Sequence, residues 1–179
     1  KISVTGLGEE SFDSDLITWR ASFSRNALDL KQAYADLNTD VLKVKKFLSS
    51  QGVKENEIVF DAADISKNYD NQYDENGNFT ERIFRGYELS QSFEVQSKSV
   101  DLVEQTSREV SKLIDAGIEL NSYSPQYYYT KLAALKIKMI EQATKDAKNR
   151  AETIANNGGG SLGDLTKASM GVFQITAEN

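Results

Sequence analysis

Acidic side chains are the first residues of this sequence to examine for chemistry. The 179 residues contain no histidine and no cysteine, which removes the imidazole base, the thiol nucleophile and the usual zinc ligands. Asp13 with Asp15, and Asp61 with Asp64, are closely spaced acids near predicted strands, and a paired-acid glycosidase needs two such carboxylates. Acids as abundant as the 27 in this chain fall close together by chance. We therefore expect a non-enzymatic protein without catalytic residues.

Two other motifs resemble ligand-binding patterns but lack residues that those patterns require. Aligning Gly77, in an acidic and asparagine-rich stretch, with the invariant glycine of a calcium loop places Gln72 and Ile83 where Asp and Glu are required. The pair Gly6 and Gly8 lacks the third glycine and the following helix of a phosphate-binding loop. We expect no metal site and no bound cofactor, and we interpret the glycine pair as a bulge in an opening strand.

Charge and composition exclude some classes of binding partner. A net charge of −6 and a pI near 4.8 argue against nucleic acid, which needs clustered Lys and Arg. No run of 18 apolar residues is present, so no membrane span is expected. A start at Lys1 rather than Met suggests a mature chain whose export signal has been removed.

Hydrophobic spacing predicts the elements that position these side chains. Alternating apolar residues predict strands at 2–8, 17–23, 58–62, 83–95 and 170–176. An Asn-Gly pair at 76 and 77 predicts the turn of a long, exposed hairpin between the third and fourth strands. Three- and four-residue spacing predicts helices at 30–48, 99–114 and 131–156. Gly52-Val53 and Gly117-Ile118 have the glycine-then-aliphatic pattern that ends a helix.

The helix predicted at 131–156 is the longest element. Its apolar face is formed by Ile137, Ile140, Ala143, Ala147, Ala151 and Ile154. Because the middle of this face is alanine, the helix can approach a neighbouring surface closely, which favours packing on one face of a sheet over a coiled coil.

The order of elements predicts an α+β fold with a mixed or antiparallel sheet in a single domain of residues 1–179. Segments 17–58 and 87–120 both read as strand, helix, glycine stop and strand, so we predict two β-α-β-like units from a weak internal duplication. Such crossovers are right-handed and place their helices on one face of the sheet.

Tyr127, Tyr128 and Tyr129 form an unusual aromatic run before the long helix. Neighbours on a strand point to opposite faces, so at least one of these rings should be exposed. An amphipathic strand end and an aromatic contact patch both explain the run, and exposed tyrosine is favoured at interfaces. These three residues are our candidate interface.

The motifs taken together resemble the SIMPL domain family of bacterial periplasmic and outer-membrane immunogenic proteins and an oxidative-stress defence protein. The resemblance rests on ISVTGLGE, FLSSQGVKENEI, GYELSQSFEV, LIDAGIEL, SPQYYYTKL and GGSLGDL, and covers essentially the whole chain. Ser14 departs from the family by standing where many members have proline. The resemblance implies an α+β domain without catalytic residues, exported to the periplasm or cell envelope, and ring-like homo-oligomers in some members.

The function expected from this resemblance is a non-enzymatic cell-envelope role through self-assembly or protein contacts, in envelope or oxidative-stress tolerance. Membrane association would come only through a segment upstream of Lys1. The alternative is a small-ligand-binding module that uses a cleft between the sheet and the long helix.

Overall fold

The computed structural model describes residues 1–176 and shows an antiparallel six-stranded sheet with four helices. The strands are β1 (Leu16–Ala27), β2 (Ile58–Phe60), β3 (Asp64–Tyr73), β4 (Phe79–Ser97), β5 (Leu120–Ser122) and β6 (Gln126–Tyr128). The helices are α1 (Leu30–Ser50), α2 (Val100–Arg108), α3 (Ser111–Asp115) and α4 (Leu132–Asn157), and a short 3₁₀ turn covers Glu55–Glu57. The predicted α+β class, the antiparallel sheet and the long C-terminal helix are confirmed.

The chain divides into two compact units. Residues 14–128 form the sheet unit, and residues 1–13 with residues 129–176 form the helix unit. In the sheet unit the strand order is β2-β4-β1-β5, with β3 also paired to β4 and β6 also paired to β1.

Two β-α-β-like units interlock in this sheet. β1 leads through α1 to β2, and β4 leads through α2 and α3 to β5; in each case one antiparallel strand lies between the two strands that the helix connects. α1 and α2 both contact β1 and β4 and share one apolar core, so they cover the same face of the sheet. The two predicted units are confirmed, and their origin by duplication stays a prediction.

The core of the sheet unit follows from the alternation along β1. Ile17, Trp19, Ala21 and Phe23 are all buried, because every second residue of a strand faces the same side. Trp19 packs edge-on against Phe93 of β4 with a centroid distance of 5.4 Å.

A cap and a glycine stop define the two ends of α1, and an ion pair from its middle holds it against β1. Asp29 accepts a hydrogen bond from the Gln32 amide at 2.8 Å, and Gly52 adopts a φ of 95° where α1 stops, as predicted. The buried carboxylate of Asp40 accepts a hydrogen bond of 2.9 Å from Arg25, and this bond raises the pKa of Arg25. Arg25 also donates to the carbonyl of Gly117 at 2.9 Å, so one guanidinium joins both β-α-β units.

The helix predicted at 99–114 differs from the structure in two ways. It is divided into α2 and α3 around Glu109 and Val110. The spacing of this segment predicts that Leu113 and Ile114 both face inward; Leu113 is buried, whereas Ile114 is exposed. Ile118, beyond the end of α3, is also buried.

The opening strand predicted at residues 2–8 is wrong. Residues 1–13 have no strand pairing and lie along α4 within the helix unit. A Cβ on Gly6 would overlap the carbonyl oxygen of Ala143, and the Leu7 amide donates to Asp146 at 2.8 Å. The two glycines therefore permit a close approach to a helix rather than a strand bulge.

The closing strand predicted at 170–176 is also wrong: the segment has no strand pairing, and Val172 is fully open to solvent. The described part of the helix unit contains no other strand with which this segment could pair.

The predicted apolar face of α4 is only partly buried. Ile137, Ile140 and Ile154 are exposed, whereas Ala151 is buried. Residues 1–13 cover the side of the helix that carries Ala143 and Ala147, which lies partly around the helix from the isoleucines. Packing of α4 on the sheet stays a prediction.

Candidate protein-contact surface

The β3-β4 hairpin continues past the end of the sheet. β1 pairs with β4 only from Tyr87 to Ser97, whereas the first eight residues of β4, Phe79 to Gly86, are paired with β3 alone. Two of these eight residues are bulged, so the eight lie opposite only six residues of β3, 68–73, which at about 3.3 Å each extend roughly 20 Å. We call residues 68–86 the arm.

One face of the arm is aromatic. The register places Tyr69 opposite Phe84 and Tyr73 opposite Phe79, and each pair is in edge-on contact, at 5.5 Å and 6.2 Å between centroids. The guanidinium of Arg82 lies 4.2 Å from the Tyr69 ring centroid, a cation–π contact. Tyr73 and Phe79 are 60% and 58% exposed, and Tyr69 and Phe84 are 39% and 37% exposed.

This aromatic face continues the core face of the sheet. Phe84 contacts Tyr87 at 5.2 Å, Tyr87 packs against the core cluster, and Leu89, two residues further along β4, is completely buried. The same side of β4 therefore passes from a surface covered by α1 and α2 to one that is open to solvent.

The other face of the arm is mixed. Asp70 and Arg85 form an ion pair of 2.6 Å, and Ile83 lies opposite Asp70 in the register. Register shifts interrupt the ladder after Asn68 and after Gln72. Charges and bulges are the features by which proteins prevent edge-to-edge strand pairing.

The tip of the arm is organised by Asp74. Its carboxylate accepts hydrogen bonds from the amides of Asn76 and Asn78 at 2.9 and 2.8 Å, and from the Asn78 side chain at 3.0 Å. The bonds from Asn78 are the main reason that the pKa of Asp74 lies below its ordinary value. Gly77 has a φ of 80°, which confirms the predicted Asn-Gly turn.

The tyrosine run does not present three rings on one surface. Tyr127 and Tyr128 pair with β1 as neighbours in β6 and so point to opposite faces. Partial burial, followed by the charge and hydrogen bond of Glu104, raises the pKa of Tyr127. The Tyr128 hydroxyl donates to the Gln126 side chain at 2.7 Å.

Tyr129 belongs to the helix unit, where its ring lies 4.4 Å from that of Phe12. Tyr127 and Tyr128 remain 45% exposed. An interface at Tyr127 to Tyr129 stays a prediction.

One of the acidic residues considered for catalysis has a structural partner. Asp61 forms an ion pair with Arg20 at 2.6 Å, and both side chains are about half exposed. Within residues 1–176, no three acidic side chains come close enough together to hold a metal ion.

The hairpin was predicted from the sequence, but four candidate contact residues on it were not: Tyr69, Tyr73, Phe79 and Phe84. The signal was the aromatic residues on both sides of the Asn-Gly turn. Strand alternation gives the face of each residue, but the two bulges in β4 shift the pairing, and their positions were needed to place all four rings together.

The fold and this surface define an α+β protein with interlocked β-α-β units and a projecting aromatic arm. The chain belongs to the SIMPL family, described as a protein of unknown function (DUF541), which matches residues 2–178. The resemblance drawn from the sequence is thereby confirmed. A comparison with curated proteins found no match. Among residues 1–176, no helix has the length and apolarity needed to span a bilayer.

Proposed function

We propose that this chain is a non-enzymatic protein of the cell envelope that acts by self-assembly, with the arm as its main contact surface. The observation that carries the proposal is the pair of aromatic contacts, Tyr69 with Phe84 and Tyr73 with Phe79, exposed on a hairpin outside the sheet.

The exposed area matches the largest apolar patch of a typical monomer, and such patches are often functional. The four rings together leave on the order of 400 Å² of apolar area in contact with water, which is within the range of functional patches on monomeric proteins. A two-stranded hairpin by itself is marginally stable in water. A partner that covers the aromatic face would therefore stabilise the arm as well as remove apolar surface from water.

The envelope location and a role in stress tolerance rest on membership of the SIMPL family and on the family resemblance. Cell fractionation of the native organism tests the location, and recovery in the cytosolic fraction alone would contradict it. Comparing survival under oxidant for cells that carry the wild-type arm and cells that carry an arm variant tests the role.

The test of self-assembly is solution mass, by light scattering coupled to size exclusion. Three proteins are compared over a concentration series: the wild type, Tyr73→Ser/Phe79→Ser, and Tyr127→Ser/Tyr128→Ser. We expect the wild type to form oligomers and the arm variant to dissociate, with the β6 variant as the matched tyrosine control.

A wild-type monomer at the highest soluble concentration would overturn self-assembly. Dissociation of the β6 variant alone would show that the interface lies at the tyrosine run.

A second candidate function is small-ligand binding, favoured by a cleft within the helix unit. The cleft has a volume of about 200 Å³ and is lined by Glu10, Ser11, Phe12, Tyr129, Lys131, Ala134, Leu135 and Lys138. It combines an aromatic pair with two lysines, of which Lys138 is paired with Glu10, so a small aromatic carboxylate fits its chemistry.

Benzoate and phenylacetate are suitable probes in a thermal-shift assay. A ligand at 100 times its dissociation constant stabilises by about 2.7 kcal/mol. The absence of any shift at saturating probe would remove these carboxylates as candidates.

A further inference from the structure

We propose that two copies of this chain pack arm against arm, with the aromatic face of one covering the aromatic face of the other. This inference rests on the proposed self-assembly and specifies its partner and geometry: a second copy, related by a two-fold axis at the level of Asn71 and Arg82.

The aromatic face has the symmetry that such a contact requires. Along the arm the levels read Tyr69 with Phe84, then Asn71 with Arg82, then the pair at the tip, Tyr73 with Phe79. The pattern is aromatic, polar and aromatic. A two-fold axis across the middle level places each aromatic level on the other aromatic level of the partner, and a two-fold interface uses the same patch on both subunits.

The middle level, Asn71 with Arg82, can lie against the same level of a second copy. Arg82 lies over the Tyr69 ring, so its guanidinium would be stacked between Tyr69 and an aromatic ring of the second copy, a cation–π arrangement, and Asn71 is left nearest the axis. An asparagine side chain both donates and accepts hydrogen bonds, so two copies of Asn71 can bond to each other. Aromatic rings on both sides of that polar pair would exclude water from it.

The alternative route is strand pairing along the edge of β3, which the irregular ladder disfavours. An antiparallel two-fold pair keeps the same face of both strands upward, so a pair centred on Asp70 sets like charges directly opposite, whereas a pair centred on Asn68 does not. The bulges beside Asn68 and Gln72 twist the ladder away from flat pairing. Face-to-face packing of the rings meets neither obstacle.

The size of the contact predicts its strength. Two arms would bury on the order of 800 Å² in total, below the roughly 1,200 Å² of standard stable interfaces. Arm pairing should therefore be reversible and dependent on concentration. A larger assembly would need a second contact elsewhere on each chain.

The absence of native cysteine makes single-cysteine cross-linking a direct test, because any cross-link must join two copies. Asn71→Cys places a thiol on the aromatic face. Glu81→Cys places one on the opposite face, next in sequence to Arg82, and both parent residues are exposed. Each protein is treated with a short bis-maleimide under conditions in which the wild type is associated, and Trp19 fluorescence confirms folding.

We expect the Asn71→Cys protein to give a covalent dimer and the Glu81→Cys protein to give little. Adding Tyr73→Ser/Phe79→Ser to Asn71→Cys should abolish the dimer. Equal cross-linking from both faces, or from Glu81→Cys alone, would overturn the proposed geometry.

The outcomes also separate this geometry from self-assembly in general. An oligomer that never cross-links through Asn71→Cys would refute arm-to-arm packing and leave self-assembly in place. A wild type that stays monomeric would refute both. An arm that binds an added apolar peptide but not a second copy would also overturn the inference.

Discussion

The two halves of β4 differ in burial because different elements lie beside them. From Tyr87 to Ser97 the strand is flanked by β1, and α1 and α2 contact it, so Leu89, Phe93 and Val95 are completely buried. From Phe79 to Gly86 it pairs only with β3, and its aromatic residues are exposed. One strand with apolar residues at both ends thus serves as a core element in one half and as a surface in the other.

The difference lies in what covers the strand rather than in the strand itself. β1 ends at Ala27, and the chain then turns into α1. Beyond that point the aromatic side chains of β4 are exposed. An apolar strand face that extends beyond the elements packed on it is expected where a partner protein covers the remainder.

The largest expected effect separates the two halves by stability. Phe93→Ala should lower the free energy of unfolding of the sheet unit by about 3 to 5 kcal/mol, because a fully buried ring leaves a cavity. Phe79→Ala should change it by less than about 0.5 kcal/mol in the dissociated protein, since the ring is largely in water. Urea unfolding followed by far-UV circular dichroism measures both. Similar losses from the two variants would mean that the arm is part of the cooperative core.

The next effect lies at the junction of the two halves. Gly86 has a φ of 121°, and a Cβ there would stand 2.7 Å from the carbonyl oxygen of Ala27. Gly86→Ala should therefore cost about 1 to 3 kcal/mol through backbone strain and redirect the arm where it leaves β1. Gly77→Ala is the matched control, because Gly77 also has a positive φ but a Cβ added to it would have no other atom within 4 Å. A smaller loss at Gly86 than at Gly77 would show that the contact with Ala27 is relieved easily.

The sequence predicted most elements of the sheet unit but not the aromatic face of the arm. The alternation through Trp19, the stops at Gly52 and Gly117 and the Asn-Gly turn are local signals, and each determined an element that the structure contains. The aromatic face depends on where β1 ends and on the register shifts in β4, which are properties of pairing between distant segments. Gly6 and Gly8 were misinterpreted for the same kind of reason, since their close neighbour is α4, more than 130 residues away in the chain.

A small effect is expected from the ion pair on the mixed face of the arm. Asp70 and Arg85 are more than half exposed, and exposed pairs contribute roughly 0 to 1 kcal/mol. Asp70→Asn should therefore leave unfolding almost unchanged, and added salt should reduce even that difference. Solution mass should not change either, because this pair lies on the face opposite the rings. A variant that dissociates the oligomer would place the mixed face in the interface.

The smallest expected effect is confined to the tip of the arm and depends on pH. Hydrogen bonds from Asn78 and Asn76 hold the pKa of Asp74 below its ordinary value, so the folded turn favours the ionised carboxylate. Its contribution is therefore complete above the unfolded pKa, near 3.9, and is lost as the pH falls through the lower, folded value.

Amide chemical shifts of Asn76 and Asn78, followed by NMR during acid titration, measure this transition. They should move together at a pH below 3.9, while the amides of Phe93 and Val95 in the core half of β4 stay unchanged over the same step. Asp74→Asn should remove the titration and keep some of the hydrogen bonds, since an amide oxygen still accepts. Simultaneous movement of tip and core amides would show that the two halves of β4 open as one cooperative unit.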